Sequence, residues 1–364
     1  MKKVSVSLAA AALLALCFML VGTTAGHAGV QGRPGKIAFL RTVGDGPSGL
    51  FVIEADGSSL RRLTPSGLDV GSYEWARDGN RIAYLDRQGA LRLVRPDGTG
   101  LELLARSSTL RSPWGLSWSP DGKAIAVLER DPGTPPPPSN SSPHFRIVVI
   151  PTDGRAPRRL PSGDAQIIDW SPQGDEIVYG DGAGRQRIIR TDGSKPRPFF
   201  HPLPKHGKGT PIWSPDGTHV GFTGHVRHGL YPHPGDWYDA IYVADADGSG
   251  LHLVTSHAYN EYGFAWSPDG RWILYGRENR EGIYVIGADG RNNHRLTRDS
   301  PRGVEFGALT WGPDGRSIAY ATDRTGNGDI YVIDAHGHNK VRLTSSAASD
   351  IDPSWEYSRT PCCP

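Results

Sequence analysis

Residues 266–290 read WSPDGRWILYGRENREGIYVIGADG, and this stretch decides the fold. A tryptophan leads into Pro-Asp-Gly, an apolar run follows, and a second run, IYVIGADG, stops at Asp-Gly. Gly and Asp tolerate the backbone conformations that tight hairpins require. The alternation within ILYG and IYVIG places every second side chain on one face of a sheet.

The same phrase recurs on both sides of this unit: WARDGNRIAYL at 75, WSPDGKAIAVL at 118, WSPQGDEIVYG at 170, WSPDGTHVGFT at 213 and WGPDGRSIAYA at 311. Successive tryptophans lie 43, 52, 43, 53 and 45 residues apart. Most units close with a short third or fourth segment such as LHLVT, HRLT or VRLT. Four extended segments in a period in the forties predict the blades of a propeller, not a helical solenoid.

The two ends are complementary. KIAFL, LFVIEADG and LRRLT, within residues 36–64, have no tryptophan phrase before them, and Trp355 in IDPSWEYS has no strands after it. The expected solution is an all-β, seven-bladed β-propeller of four-stranded antiparallel blades over residues 36–357, closed by the C-terminal strand joining the N-terminal blade. Trp75, Trp118, Trp170, Trp213, Trp266, Trp311 and Trp355 are then expected to wedge between blades as structural anchors.

Composition agrees with this reading. Gly 47 and Pro 30 in 364 residues suit many short strands and tight turns. Lys2 and Lys3 precede an apolar run that ends in small residues, so residues 1–28 read as a cleaved export signal, 29–35 as a linker and 358–364 as a tail. The expected location is secreted or periplasmic, with no transmembrane anchor after processing. Leu16 is larger than the residue that usually precedes a lipidated cysteine, which argues against a lipoprotein through Cys17. Without residues 1–28 the basic and acidic side chains balance, and no long Lys or Arg run occurs, so nucleic acid is not an expected partner. Cys362 and Cys363 stand side by side in the tail and supply no disulfide framework.

The recurring W-S-P-D-G, I-A-Y, I-Y-V and D-A-D-G phrases resemble the TolB family of propeller repeats across nearly all of residues 36–356. That resemblance implies the fold more sharply than the function, because such repeats serve in periplasmic complex assembly, in non-catalytic propellers of prolyl-oligopeptidase relatives and in some polysaccharide lyases. TolB itself resembles a six-bladed propeller with an added N-terminal domain, whereas seven units are counted here. Import through a TolB-type complex is therefore not carried over.

Lettering the strands a to d from the axis outward puts the short ab and cd turns on one face and the bc loops and da connectors on the other. Two insertions, residues 131–143 and 224–240, fall in bc loops of blades 3 and 5, and the connector 201–210 is also long. Long loops on a rigid scaffold are where recognition resides. The first insertion is Pro-rich and reads as a stiff arm. The second carries His225, His228 and His233 with Asp236, Trp237, Tyr238 and Asp239, near His201 and His206. Its two readings are a polar, aromatic recognition loop and a zinc or manganese site, although Pro232 and Pro234 forbid a helix that would align the rings. Connectors entering strand a bring Asp69, Asp164, Lys208, Asn260, Glu261, Glu305 and Asp350 toward the same rim, with Trp114 and Tyr259. Convergent carboxylates there would favour a cation or a basic peptide end, or else cap local amides. Asp323, Asn327 and Asp329 superficially suggest calcium ligands but lack the twelve-residue loop and its closing glutamate.

No G-x-S-x-G elbow is present. The expectation is a non-catalytic protein- or peptide-binding scaffold acting through the bc/da face, with no cofactor. Two alternatives stay open: a metal-dependent polysaccharide lyase using the His cluster with Lys208, and a carbohydrate-binding propeller using Trp114 or Trp237.

Overall fold

The computed structural model describes residues 35–110, 115–130, 144–199, 209–227, 237–256, 261–277, 282–301 and 309–357. These form seven four-stranded antiparallel sheets and, among the described residues, no helix. The expected leader, linker and tail lie outside them, apart from Gly35.

The repeated Ser-Pro-Asp-Gly phrase folds because its polar atoms satisfy one another. In blade 3 the Ser119 hydroxyl donates to Asp121 at 2.7 Å and accepts the backbone N–H groups of Lys123 and Ala124. Gly122 takes a φ of +68° at the turn, a conformation costly for a residue with a Cβ. Ser214 with Asp216 and Ser267 with Asp269 repeat the hydroxyl–carboxylate bond. Each such turn delivers strand a into strand b with no excess chain.

Blade 1 takes strand a from the C-terminus, Ser349–Trp355, and strands b, c and d from Lys36–Thr42, Gly49–Glu54 and Arg61–Arg62. The closing pair is antiparallel, with Ile37 opposite Trp355, Leu40 opposite Ile351 and Thr42 opposite Ser349. Ring closure is therefore as the sequence predicts. The innermost strands of blades 1, 2, 3 and 4 touch in succession around the axis, and that of blade 7 touches blade 1.

The core lies in the seams between blades. Trp118 packs with Ala83, Leu85, Leu91 and Leu93 of blade 2 and with Ile125 and Val127 of its own blade. Its indole N–H donates to the Glu74 carbonyl, one blade back, at 3.2 Å. Trp75, Trp266 and Trp311 likewise donate to Ser354, Ile212 and Ala265. Trp170 departs from this pattern by donating to Gly174 of its own turn at 3.0 Å.

In blade 5, strands b (His219–Arg227) and c (Trp237–Asp245) run nine residues each, longer than in any other blade. His225 pairs with Asp239, Val226 with Tyr238 and Arg227 with Trp237. The second insertion thus begins as a ladder that lengthens the hairpin, because its polar and aromatic residues continue the strand pairing past the usual bc turn.

Candidate binding face and central channel

Four of the connector carboxylates are placed, and each is engaged near the bc/da end of its blade. Asp69 accepts the Ser48 N–H and pairs with Arg87 at 3.1 Å. Asp164 accepts the Phe145 N–H and lies 3.1 Å from the His144 imidazole. Asp350 is fully buried and receives two hydrogen bonds from Arg41, at 2.6 and 2.8 Å. Glu261 is buried between the Thr255 hydroxyl at 2.6 Å and Arg277 at 3.0 Å. Burial drives the Glu261 carboxyl up to about 7, against the opposing pull of the hydroxyl and guanidinium.

Trp114, Lys208, Tyr259, Asn260 and Glu305 lie outside the described residues, as do His228, His233, Asp236, His201, His206 and the first insertion. His225, Trp237 and Tyr238 are placed by backbone alone, on the long hairpin of blade 5. Among the described residues no group of three or more His, Cys, Asp or Glu side chains is arranged to hold a metal ion. Asp323 and Asn327 stand in the bc hairpin of blade 7, and Asp329 opens strand c (Asp329–Asp334). Asp329 is paired with Arg342 at 2.7 Å, and the Asn327 amide donates to the Ser346 and Ala348 carbonyls.

Across this face the acid is sunk and the base rides on top. Glu129 is 6% exposed beneath Arg159 at 56%, and Asp181 is 9% exposed beneath Arg185 at 65%. Asp299 is buried under Arg324 and Lys340, whereas Asp86 and its partner Arg92 are both largely enclosed. A carboxylate at the end of strand b caps the N–H groups of its own bc hairpin, as Asp86 does for Gln88 and Ala90, so it is drawn inward. The guanidinium needs only one edge for the pair and leaves donors facing out. What an approaching ligand meets at these pairs is mostly arginine.

The residue before each blade tryptophan was not singled out from sequence, and it matters. Those positions hold Glu74, Ser117, Asp169, Ile212, Ala265, Thr310 and Ser354, all on innermost strands. Glu74 accepts the backbone N–H of Trp118, Ser117 that of Trp170 and Asp169 that of Trp213, at 3.1, 2.9 and 2.7 Å. Each bond ties one blade to the next at the axis. Burial and the nearby Asp169 charge raise the Glu74 carboxyl well above its usual range, with Arg77 opposing. Burial raises Asp169 to about 6, opposed by the Trp213 N–H and Arg77. Tyr357 reaches the same cluster, since its hydroxyl is raised by burial and then by Glu74. The available signals were the two acids among seven equivalent positions and Arg77 standing where most repeats have proline.

The ring, its tryptophan seams and its closing strand make this chain a seven-bladed β-propeller of TolB-like repeats. No family model matches it. The Tol-Pal system protein TolB of Anaeromyxobacter dehalogenans strain 2CP-1 is 27% identical over 215 residues, covering 58% of this chain and 46% of that protein. Its counterpart in strain 2CP-C is 29% identical over the same shares. The match thus spans about half the length of these curated relatives. Among solved structures, TolB from Acinetobacter baumannii aligns with a TM-score of 0.55 and 16% identity, covering 90% of this chain and 68% of that one. An oligogalacturonate lyase in complex with manganese aligns with a TM-score of 0.67 and 15% identity, covering 84% and 86%. At such identities the structural likeness concerns the fold.

Proposed function

We propose that this chain is an exported, non-catalytic scaffold that captures a protein or peptide on its bc/da face. The observation that carries the reading is an asymmetry between faces. The ab and cd turns are short and closed on themselves by Ser and Asp side chains. All three long segments singled out in the sequence, 131–143, 201–210 and 224–240, instead belong to bc or da connections. A rigid scaffold whose long connections share one type of loop is suited to recognition through them. The likeness to TolB supports a scaffold role, and the leader-like residues 1–28 support export.

Replacing residues 228–236 by Asn-Gly keeps the Arg227–Trp237 pairing and removes the arm. That variant is expected to lose partner capture from envelope extracts while melting within a few degrees of the parent. Equal capture by both forms contradicts the reading. The manganese-bound lyase neighbour motivates the second reading, a metal-dependent polysaccharide lyase. Manganese-dependent release of unsaturated uronides, followed by ultraviolet absorbance, would establish that reading in place of the first.

A further inference from the structure

Among the described residues on the rim of blades 3 and 4, six basic side chains stand with three acids. Arg130 ends strand b of blade 3 (Ala124–Arg130), His144 and Arg146 stand at the start of strand c (Phe145–Pro151), and Arg159 lies on strand d (Arg158–Arg159). In blade 4, Arg185 and Arg187 leave the bc hairpin and strand c (Gln186–Arg190). The acids are Glu129, Asp164 and Asp181.

Glu129 is buried between Arg146 at 3.2 Å and Arg159 at 2.7 Å, and the Arg159 hydrogen bond, acting against burial, holds its carboxyl below the usual range. Asp181 sits under Arg185 at 2.8 Å and Arg187 at 3.9 Å, and also caps the Ala183 and Arg185 N–H groups. Both carboxylates already have their partners within the rim. Arg130 is exposed and has neither an ion pair nor a side-chain hydrogen bond among the described residues. Leaving His144 aside, five guanidiniums exceed three carboxylates among the described residues of this rim, in a chain whose basic and acidic residues otherwise nearly cancel.

We propose that this rim binds an acidic, extended segment of a partner protein, its carboxylates taking the outward N–H groups of Arg130, Arg159 and Arg185. The proposal rests on the scaffold reading above and narrows its partner. A guanidinium presents a planar fork that matches a carboxylate two bonds at a time, and one already anchored by a buried acid loses little further freedom on binding. A peptide fits better than an acidic polysaccharide because sugar rings seek aromatic platforms. Among the described residues the one large aromatic side chain with much exposed surface is Tyr357, and its hydroxyl end is enclosed beside Glu74, Arg77 and Asp169 at the axis.

The test uses the full chain and a fluorescein-labelled oligoglutamate peptide, read by anisotropy. Binding is expected to weaken as salt rises. R130Q/R185Q is expected to weaken it about tenfold with only a small drop in melting temperature, since the Arg185 side of its pair with Asp181 is exposed, while R271Q/R291Q on the opposite face leaves it unchanged. Equal affinity for R130Q/R185Q, or binding insensitive to salt, overturns the proposal. Tighter binding of oligogalacturonate than of oligoglutamate overturns the peptide assignment. Partner capture that survives R130Q/R185Q but is lost when 228–236 is replaced overturns this site and leaves the scaffold reading standing.

Discussion

The backbone N–H of Trp213 in blade 5 donates to the Asp169 carboxylate of blade 4 at 2.7 Å, inside the axis of the ring. The same carboxylate receives the Ser117 hydroxyl of blade 3 at 3.5 Å, so one side chain stitches three blades. Glu74 makes the matching bond to Trp118, and the Asp169 charge adds to the cost of ionising Glu74.

The Asp169 carboxyl is raised from an ordinary 3.8 to about 6 by burial. A raised folded-state value means stability that is fully present below about pH 4 and lost as pH climbs through 6. Asp169→Asn keeps an oxygen for the Trp213 N–H but cannot ionise. Its melting temperature should equal the parent's near pH 4 and exceed it by several degrees at pH 8. A variant less stable at pH 8 than at pH 4, relative to the parent, would count against this account of the axis.

Trp266 is 7% exposed, packs with Ile241, Val243 and Tyr275, and donates to the Ile212 carbonyl of blade 5. Trp266→Ala empties the seam and strands that carbonyl. The expected cost is about 3–5 kcal/mol, read from denaturant unfolding. A loss below about 1 kcal/mol would show that the seam does not depend on the indole.

Arg277 stacks its guanidinium 4.5 Å from the Tyr284 ring centre and holds Glu261 at 3.0 Å, both groups nearly inaccessible. Arg277→Met leaves Glu261 buried without its base, a change that costs about 3–5 kcal/mol when the acid is ionised. Because burial already lifts Glu261 to about 7, the acid can take up a proton instead. The destabilisation should therefore be large at pH 8.5 and much smaller at pH 5.5. A pH-independent loss would mean that packing on Tyr284, not charge, is what Arg277 supplies.

The number of blades and their closure were legible because the tryptophan phrase is local. Turn chemistry, strand alternation and the indole wedge all sit within a dozen residues, and Trp355 announced a strand missing its sequel. The channel acids were not legible. Glu74 and Asp169 lie 95 positions apart and meet only because innermost strands of blades 2 and 4 face one axis. The sign of the bc/da face was also hidden, since Asp69, Asp164, Glu261 and Asp350 read as an acidic rim until each is seen with its base. Likewise His225 and Tyr238 read as loop residues, but cross-strand pairing with Asp239 and Val226 carries the ladder through them.

We propose that recognition happens on one rim of the ring. A photocrosslinking amino acid placed singly at Arg87, Arg185 and Arg324, in bc hairpins, and at Asp97, Asp153 and Asp192, in cd turns, tests it in envelope extracts. The account predicts adducts from the first three positions and none from the second three. Equal labelling from both sets, or labelling from the cd turns alone, would contradict it.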